Sequence, residues 1–182
     1  MELVGNILIA PPAVKNNFWQ KTVIAVTEHT PQGTLGIVLN KPSTMSITEF
    51  GVQLDIILNI PGFVYVGGPV NNQSLTMLHT NEWHCKNTLR INKDFSVSSA
   101  DDILPRLSIG DHPKEWRLFL GMCGWAPGQL INEIKGQHPY KHENSWCVAK
   151  SNIGLAFNLD GTEQWGKYLD QSGLEFAQSC LT

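Results

Sequence analysis

Short, nearly unbroken apolar runs separated by turn residues dominate the opening of the chain. Ile7-Leu8-Ile9 is stopped by Pro11-Pro12, and Thr22 to Thr27 reads Thr-Val-Ile-Ala-Val-Thr. A β-branched run without polar alternation predicts a strand covered on both faces. Thr30-Pro31-Gln32-Gly33 has proline second and glycine fourth, a type I turn pattern. Leu35 to Leu39 returns as a second apolar run, so the pair predicts an antiparallel hairpin ended by Lys41-Pro42. Phe63 to Val66, Leu75 to His79, Thr88 to Ile91, Trp116 to Leu120, Trp146 to Ala149 and Leu155 to Phe157 read as further strands.

Helix signals are fewer. Ser46-Ile47-Thr48-Glu49 is a capping box and predicts a short helix through Phe50 and Leu54. Ser99, followed by Asp101 and Asp102, predicts a helix carrying Ile103, Leu104 and Leu107 and ending at Gly110, with Pro105 arguing for a kink or an early start. Thr162 to Leu169 predicts a last helix with Trp165, Tyr168 and Leu169 on one side. The richest stretch is Gly124-Trp125-Ala126-Pro127-Gly128-Gln129-Leu130. Proline suits a first helical position, which makes Ala126 the N-cap and lets Trp125 pack on Leu130 as a hydrophobic staple. Gln129 then reaches back to the N-cap N–H, and the helix runs through Ile131 and Ile134 to stop at Gly136. Gly124 is expected to supply a positive φ or a close backbone approach. Strands and short helices alternate irregularly, with no repeat, linker or low-complexity tract. That predicts a single α+β domain over 1–182 with a mixed, largely antiparallel sheet.

Composition narrows the function classes. Of 182 residues, 42% are hydrophobic and only 16% charged, and the net charge is −3. Lys and Arg are scattered singly between Lys15 and Lys167, so no patch is built for nucleic acid and direct binding to it is not expected. Met1-Glu2-Leu3 opens with an acid instead of a basic export region, and no apolar run spans a bilayer; the expectation is a cytoplasmic chain off the membrane. Cys85, Cys123, Cys147 and Cys180 form no Cys-x-x-Cys pair and read as free thiols.

The candidate chemistry is sparse. Glu28 and His29 precede a turn, but neighbours on a strand face opposite ways, so Glu28 is poorly placed to orient His29 as a base. His79, His84 and Cys85 match no structural zinc spacing, and no metal or cofactor is expected. Cys123 reads as a reactive thiol at a helix start or as a buried inert one. Gly33-Thr34-Leu35-Gly36 and Gly67-Gly68-Pro69 lack the Lys-Ser or Lys-Thr of a phosphate loop. Asn40 leaves an apolar strand either as a turn former or as a ligand donor. Trp125 reads as a core anchor or as the wall of a small polar-lipped pocket, and Trp19, Trp83 and Trp116 either fill the core or mark an interaction surface.

Four ordered blocks carry a resemblance. They are Gly5 to Ala10 with Phe18 and Val23; Glu28-His29 with Gly33 through Pro42; Gly67-Gly68-Pro69-Val70 with Leu78-His79; and Gly121, Gly124-Trp125 and Gly128-Gln129-Leu130 with Glu133 and Trp146. In order and spacing the chain resembles the YqgE/AlgH family of bacterial proteins over nearly its whole length. Met122-Cys123, Ile131 and the ending from Phe176 depart from the usual pattern. The resemblance implies a barrel-like sheet flanked by short helices and a cytoplasmic bacterial setting. It also brings a reputation for transcriptional regulation, and implies no reaction. The reading is therefore a non-enzymatic binding protein with a protein or small-molecule partner. Its candidate site residues are His29, Asn40, Gly67, Gly68, His79, Trp125 and Gln129, with the Glu28-His29 turn and the Gly124 loop expected to share a pocket. A regulator acting through a partner and a hydrolase or transferase are the alternatives.

Overall fold

Residues Val23 to Val26 are buried without exception because each face of their strand meets a different core. Val23 and Ala25 point into one cluster and Ile24 and Val26 into another. The computed structural model describes residues 2–180. Its strands are β1 (Ile7–Ile9), β2 (Val23–Thr30), β3 (Gly33–Val38), β4 (Pro42–Ser46), β5 (Phe63–Val66), β6 (Val70–Thr80), β7 (Leu89–Arg90), β8 (Phe95–Ser99), β9 (Trp116–Trp125) and β10 (Cys147–Ala149). The helices are α1 (Ile47–Gln53), α2 (Ala100–Ser108), α3 (Gln129–Lys135), α4 (Ile153–Phe157) and α5 (Gly161–Cys180). The strands join in the order β10-β1-β2-β3-β9-β6-β8-β7, with β5 against β9 and β4 against β5. Only the β5–β9 pairing is parallel among those described. The fold is α+β, a mostly antiparallel, curled, barrel-like sheet with short helices around it.

Three packed clusters follow from that wrapping. The first lies between the sheet and the α4–α5 pair, around Phe95, Phe119 and Tyr168. The second seats α1 and α2 on Leu75, Met77 and Leu118. The third places α3 over β1, β2 and β3, with Trp125 against Leu130. Trp125 and Leu130 share a cluster as expected, but not as a staple, because the N-cap is Gly128 and not Ala126.

Strand β9 changes neighbours at one glycine. Phe119 and Leu120 pair with Tyr65 and Val66 of β5, whereas Cys123 to Trp125 pair with β3. Between them Gly121 takes φ +80°. The Gly67-Gly68 segment threads this exchange: the Gly67 N–H donates to the Leu120 carbonyl at 2.7 Å and the Val38 N–H to the Gly67 carbonyl at 2.8 Å. Both glycines are buried.

Several local expectations hold. The Ser46–Glu49 capping box is complete, and the β2–β3 hairpin turns at Pro31-Gln32. Others need correction. Leu155 to Phe157 lie in helix α4, not a strand, because the Asn152 carboxamide caps the Leu155 N–H at 3.1 Å. At the other end Arg117 donates to the Phe157 and Leu159 carbonyls at 2.9 and 2.8 Å, a cation placed on orphaned carbonyls. Helix α3 starts at Gln129, not at Pro127. Pro127-Gly128 instead form the centre of a type II turn, with Gly128 at φ 75°, ψ −12° and the Gln129 N–H donating to the Ala126 carbonyl at 3.0 Å. Gly124 has neither a positive φ nor a tight neighbour; an added Cβ would meet nothing nearer than the Leu35 side chain at 3.9 Å. Trp125 therefore ends a strand instead of following a turn. Strands β4 and β8 lie where no strand was expected, and α5 continues well past Leu169.

Candidate functional site

An acid on α3 organises the surface cleft beside it, because one carboxylate can accept from several donors at once. Glu133 Oε2 accepts from the indole N–H of Trp125 at 2.9 Å and of Trp146 at 2.7 Å. Its Oε1 accepts from the Gln129 carboxamide at 2.8 Å. Gln129 in turn accepts the Ala126 N–H at 2.9 Å, the reach-back that the sequence predicts. The i, i+4 spacing of Gln129 and Glu133 puts both on one helix face. A third indole, Trp19, meets Trp146 edge-on at 6.0 Å between ring centroids and 87° between planes, and Trp146 meets Trp125 at 6.4 Å and 81°. These groups bound a cleft of about 600 Å³ between α3, the Pro11–Asn17 loop and the Pro139–Asn144 segment. Lys15, Tyr140 and Lys141 stand on its walls. A concave space in which aromatic rings and polar groups converge is a common form of binding site, and here four aromatic rings share the lining with Lys, Asn, Gln and Glu side chains.

Of the residues named from sequence, Trp125 and Gln129 line this cleft. His29 lies nearby but outside it. Its Nδ1 is 2.7 Å from the Thr34 hydroxyl, and Thr34 is in register with Trp125, so the turn and the Gly124 loop are adjacent while only the loop faces the cleft. Asn40 is 3% exposed and committed to the backbone. Its Oδ1 accepts from the Val23 N–H at 3.0 Å, and its Nδ2 donates to the Lys21 and Gly161 carbonyls, both at 2.8 Å. Gly67 and Gly68 sit at the β9 exchange. Trp19, Tyr140, Glu133 and Trp146 complete the cleft; the Gln129–Glu133 helical spacing is the one sequence signal that joins any of them.

His79 lies elsewhere, fully buried in β6. Its Nδ1 is 2.9 Å from the Thr80 carbonyl, which only accepts, so Nδ1 carries the proton and Nε2 accepts from the Ser98 hydroxyl at 2.9 Å. Ser98 meets Thr88 at 2.8 Å, and Trp83 closes edge-on over the imidazole at 5.2 Å. This resembles a serine–histidine pair, but its members are only 0% and 2% exposed. Burial holds the imidazole below its ordinary pKa. The folded state thus keeps His79 neutral, while the unfolded chain takes up a proton below about pH 6.5. Stability is full above that pH and falls as pH drops through it. We expect wild-type urea midpoints to fall as pH drops from 7.5 to 5.5, and the His79→Gln variant to show a shallower slope. Equal slopes would refute this assignment.

Cys123 is buried, and desolvation pushes its thiol up to about 12, so it stays protonated at neutral pH. Among the described residues no three His, Cys, Asp or Glu side chains are grouped to hold a metal ion. No described helix is long and apolar enough to cross a membrane.

Comparison with known proteins bears on this arrangement. A family model described as AlgH-like matches residues 7–177. The chain belongs to the AlgH-like family. A UPF0301 protein of Azoarcus sp. is 31% identical over 182 residues, covering 97% of this chain and 92% of the relative. One from Shewanella loihica is 30% identical, covering 97% and 94%. The solution structure of the AlgH protein from Pseudomonas aeruginosa superposes with a TM-score of 0.75 at 26% identity, covering 95% of this AlgH-like chain and 90% of that one. A crystal structure of a Corynebacterium diphtheriae protein shares the fold, with a TM-score of 0.73 at 24% identity, covering 92% and 85%.

Proposed function

We propose that this chain is a non-enzymatic binding protein and that its ligand or partner group seats in the cleft around Glu133. The observation that supports this most is the convergence of Trp125 and Trp146 on one carboxylate, with Trp19 edge-on to Trp146 beside them. Indoles give large contact area at small conformational cost, Trp19 and Trp146 are partly exposed, and the Gln129–Glu133 pair holds Trp125 and Trp146 in place before anything binds. The Ser98–His79 pair, the arrangement closest to a catalytic one, is closed off from solvent. With a net charge of −3, any regulatory role would run through such a partner instead of through duplex DNA.

The test is a proton–nitrogen NMR screen of the full chain against a set of small aromatic, cationic and anionic fragments. Saturable shifts of the Trp19, Trp125 and Trp146 indole signals, abolished by Trp146→Ala in a folded variant, are expected. Shifts scattered away from these indoles, or none, would overturn the assignment.

A further inference from the structure

We propose that the cleft takes an alkylated ammonium head, quaternary or multiply methylated; this rests on the cleft being the binding site. Successive indole planes meet at 87° and 81°, forming walls at right angles around a corner. The N–H edges of Trp125 and Trp146 are turned to Glu133, so their electropositive rims are already spent on that acid. Indole ring faces are electron-rich, and such faces attract cations and repel anions. Glu133 is the sole acid lining the cleft among the described residues, and its three donors spread its negative charge without cancelling it.

Charge and hydration decide the ligand class. An anion would meet both the ring faces and Glu133. A neutral apolar group would gain contact area but nothing from the carboxylate. A bare ammonium or metal cation would give up a strongly held hydration shell, and among the described residues no three His, Cys, Asp or Glu side chains gather to replace it. An alkylated ammonium is weakly hydrated, carries its charge on methyl groups, and suits aromatic faces. Lys15 and Lys141 stand exposed at the mouth, with Lys141 3.9 Å from Glu143. Both are exposed, so solvent and salt weaken their effect on a charge seated at the base.

The experiment is a titration of the full chain, followed by indole NMR signals and tryptophan fluorescence, with choline chloride, its uncharged carbon isostere dimethylbutanol, and sodium benzoate. Choline is expected to saturate the Trp19 and Trp146 signals and to bind about tenfold more tightly than the isostere. Trp19 is partly exposed and away from the Glu133 hydrogen bonds, so Trp19→Leu keeps apolar surface while removing the ring face. It is expected to weaken choline about fivefold and the isostere by clearly less, so that the preference for choline narrows. Isostere or benzoate binding at these indoles as tightly as choline overturns the ligand class and leaves the cleft standing. No response to choline, with other fragments still shifting the indoles, does the same. Silence of choline and of the whole fragment set overturns both.

Discussion

Gly68→Ala is expected to abolish cooperative folding, at a cost on the order of 4 kcal/mol or more. Gly68 has φ +154°, and a Cβ there would lie 2.2 Å from both the carbonyl carbon and oxygen of Met122 and 2.7 Å from the Cys123 nitrogen. All three are backbone atoms of β9, so no side chain can rotate away. Relief would require moving β9 off β5 or off β3, and either shift breaks ladder hydrogen bonds on which the curl of the sheet depends. Gly128→Ala is the control. It also has a positive φ, at +75°, but nothing lies within 4 Å of its added Cβ. That variant should lose only about 1 kcal/mol from backbone strain. Urea unfolding followed by circular dichroism separates the two. If Gly68→Ala unfolds with the midpoint of Gly128→Ala, the β9 exchange is softer than this packing implies.

Glu133→Ala should lower stability by about 3 kcal/mol, which for a domain of this size lowers Tm by roughly 6–12 °C. The change strands two indole donors and the Gln129 carboxamide together. Trp125 is 7% exposed, so its freed N–H has little access to water in exchange. Gln129→Ala removes one donor and leaves the indoles satisfied, and should cost about 1 kcal/mol. Differential scanning calorimetry gives both values, and a red shift of tryptophan emission in Glu133→Ala would report the loosened indoles. A Tm within about 2 °C of wild type would mean that desolvation of the carboxylate offsets its hydrogen bonds, so that the acid is present for the ligand and not for the fold.

Local signals were legible wherever the deciding contacts lie within a few residues. The Ser46 capping box, the Pro31-Gln32 turn and the doubly covered run of β2 each rest on neighbours in sequence. Signals failed where two local readings competed. Proline before glycine at Pro127-Gly128 suits both a helix start and a type II turn, and the left-handed conformation of Gly128 settles it for the turn. Leu155 to Phe157 are as apolar as a short strand, and their helix depends on Asn152 at one end and on the distant Arg117 at the other. The candidate site was half legible. Trp125 and Gln129 stood out, but Asn40 and His79 proved to be held by buried hydrogen bonds within the fold.

Amino-acid order alone was enough for the α+β class, the largely antiparallel sheet, most element types and the family, because hydrophobic period, caps and turns act over short spans of chain. The exchange of partners along β9 and the cleft needed the folded molecule. Trp19, Glu133 and Trp146 come from a loop, a helix and the approach to an edge strand, and nothing in their separate surroundings relates them. Sheet register brings Trp125 beside β3, the packing of α3 on that face turns Glu133 toward the indoles, and the shared hydrogen bonds then hold Trp125 and Trp146 near right angles, with Trp19 edge-on to Trp146.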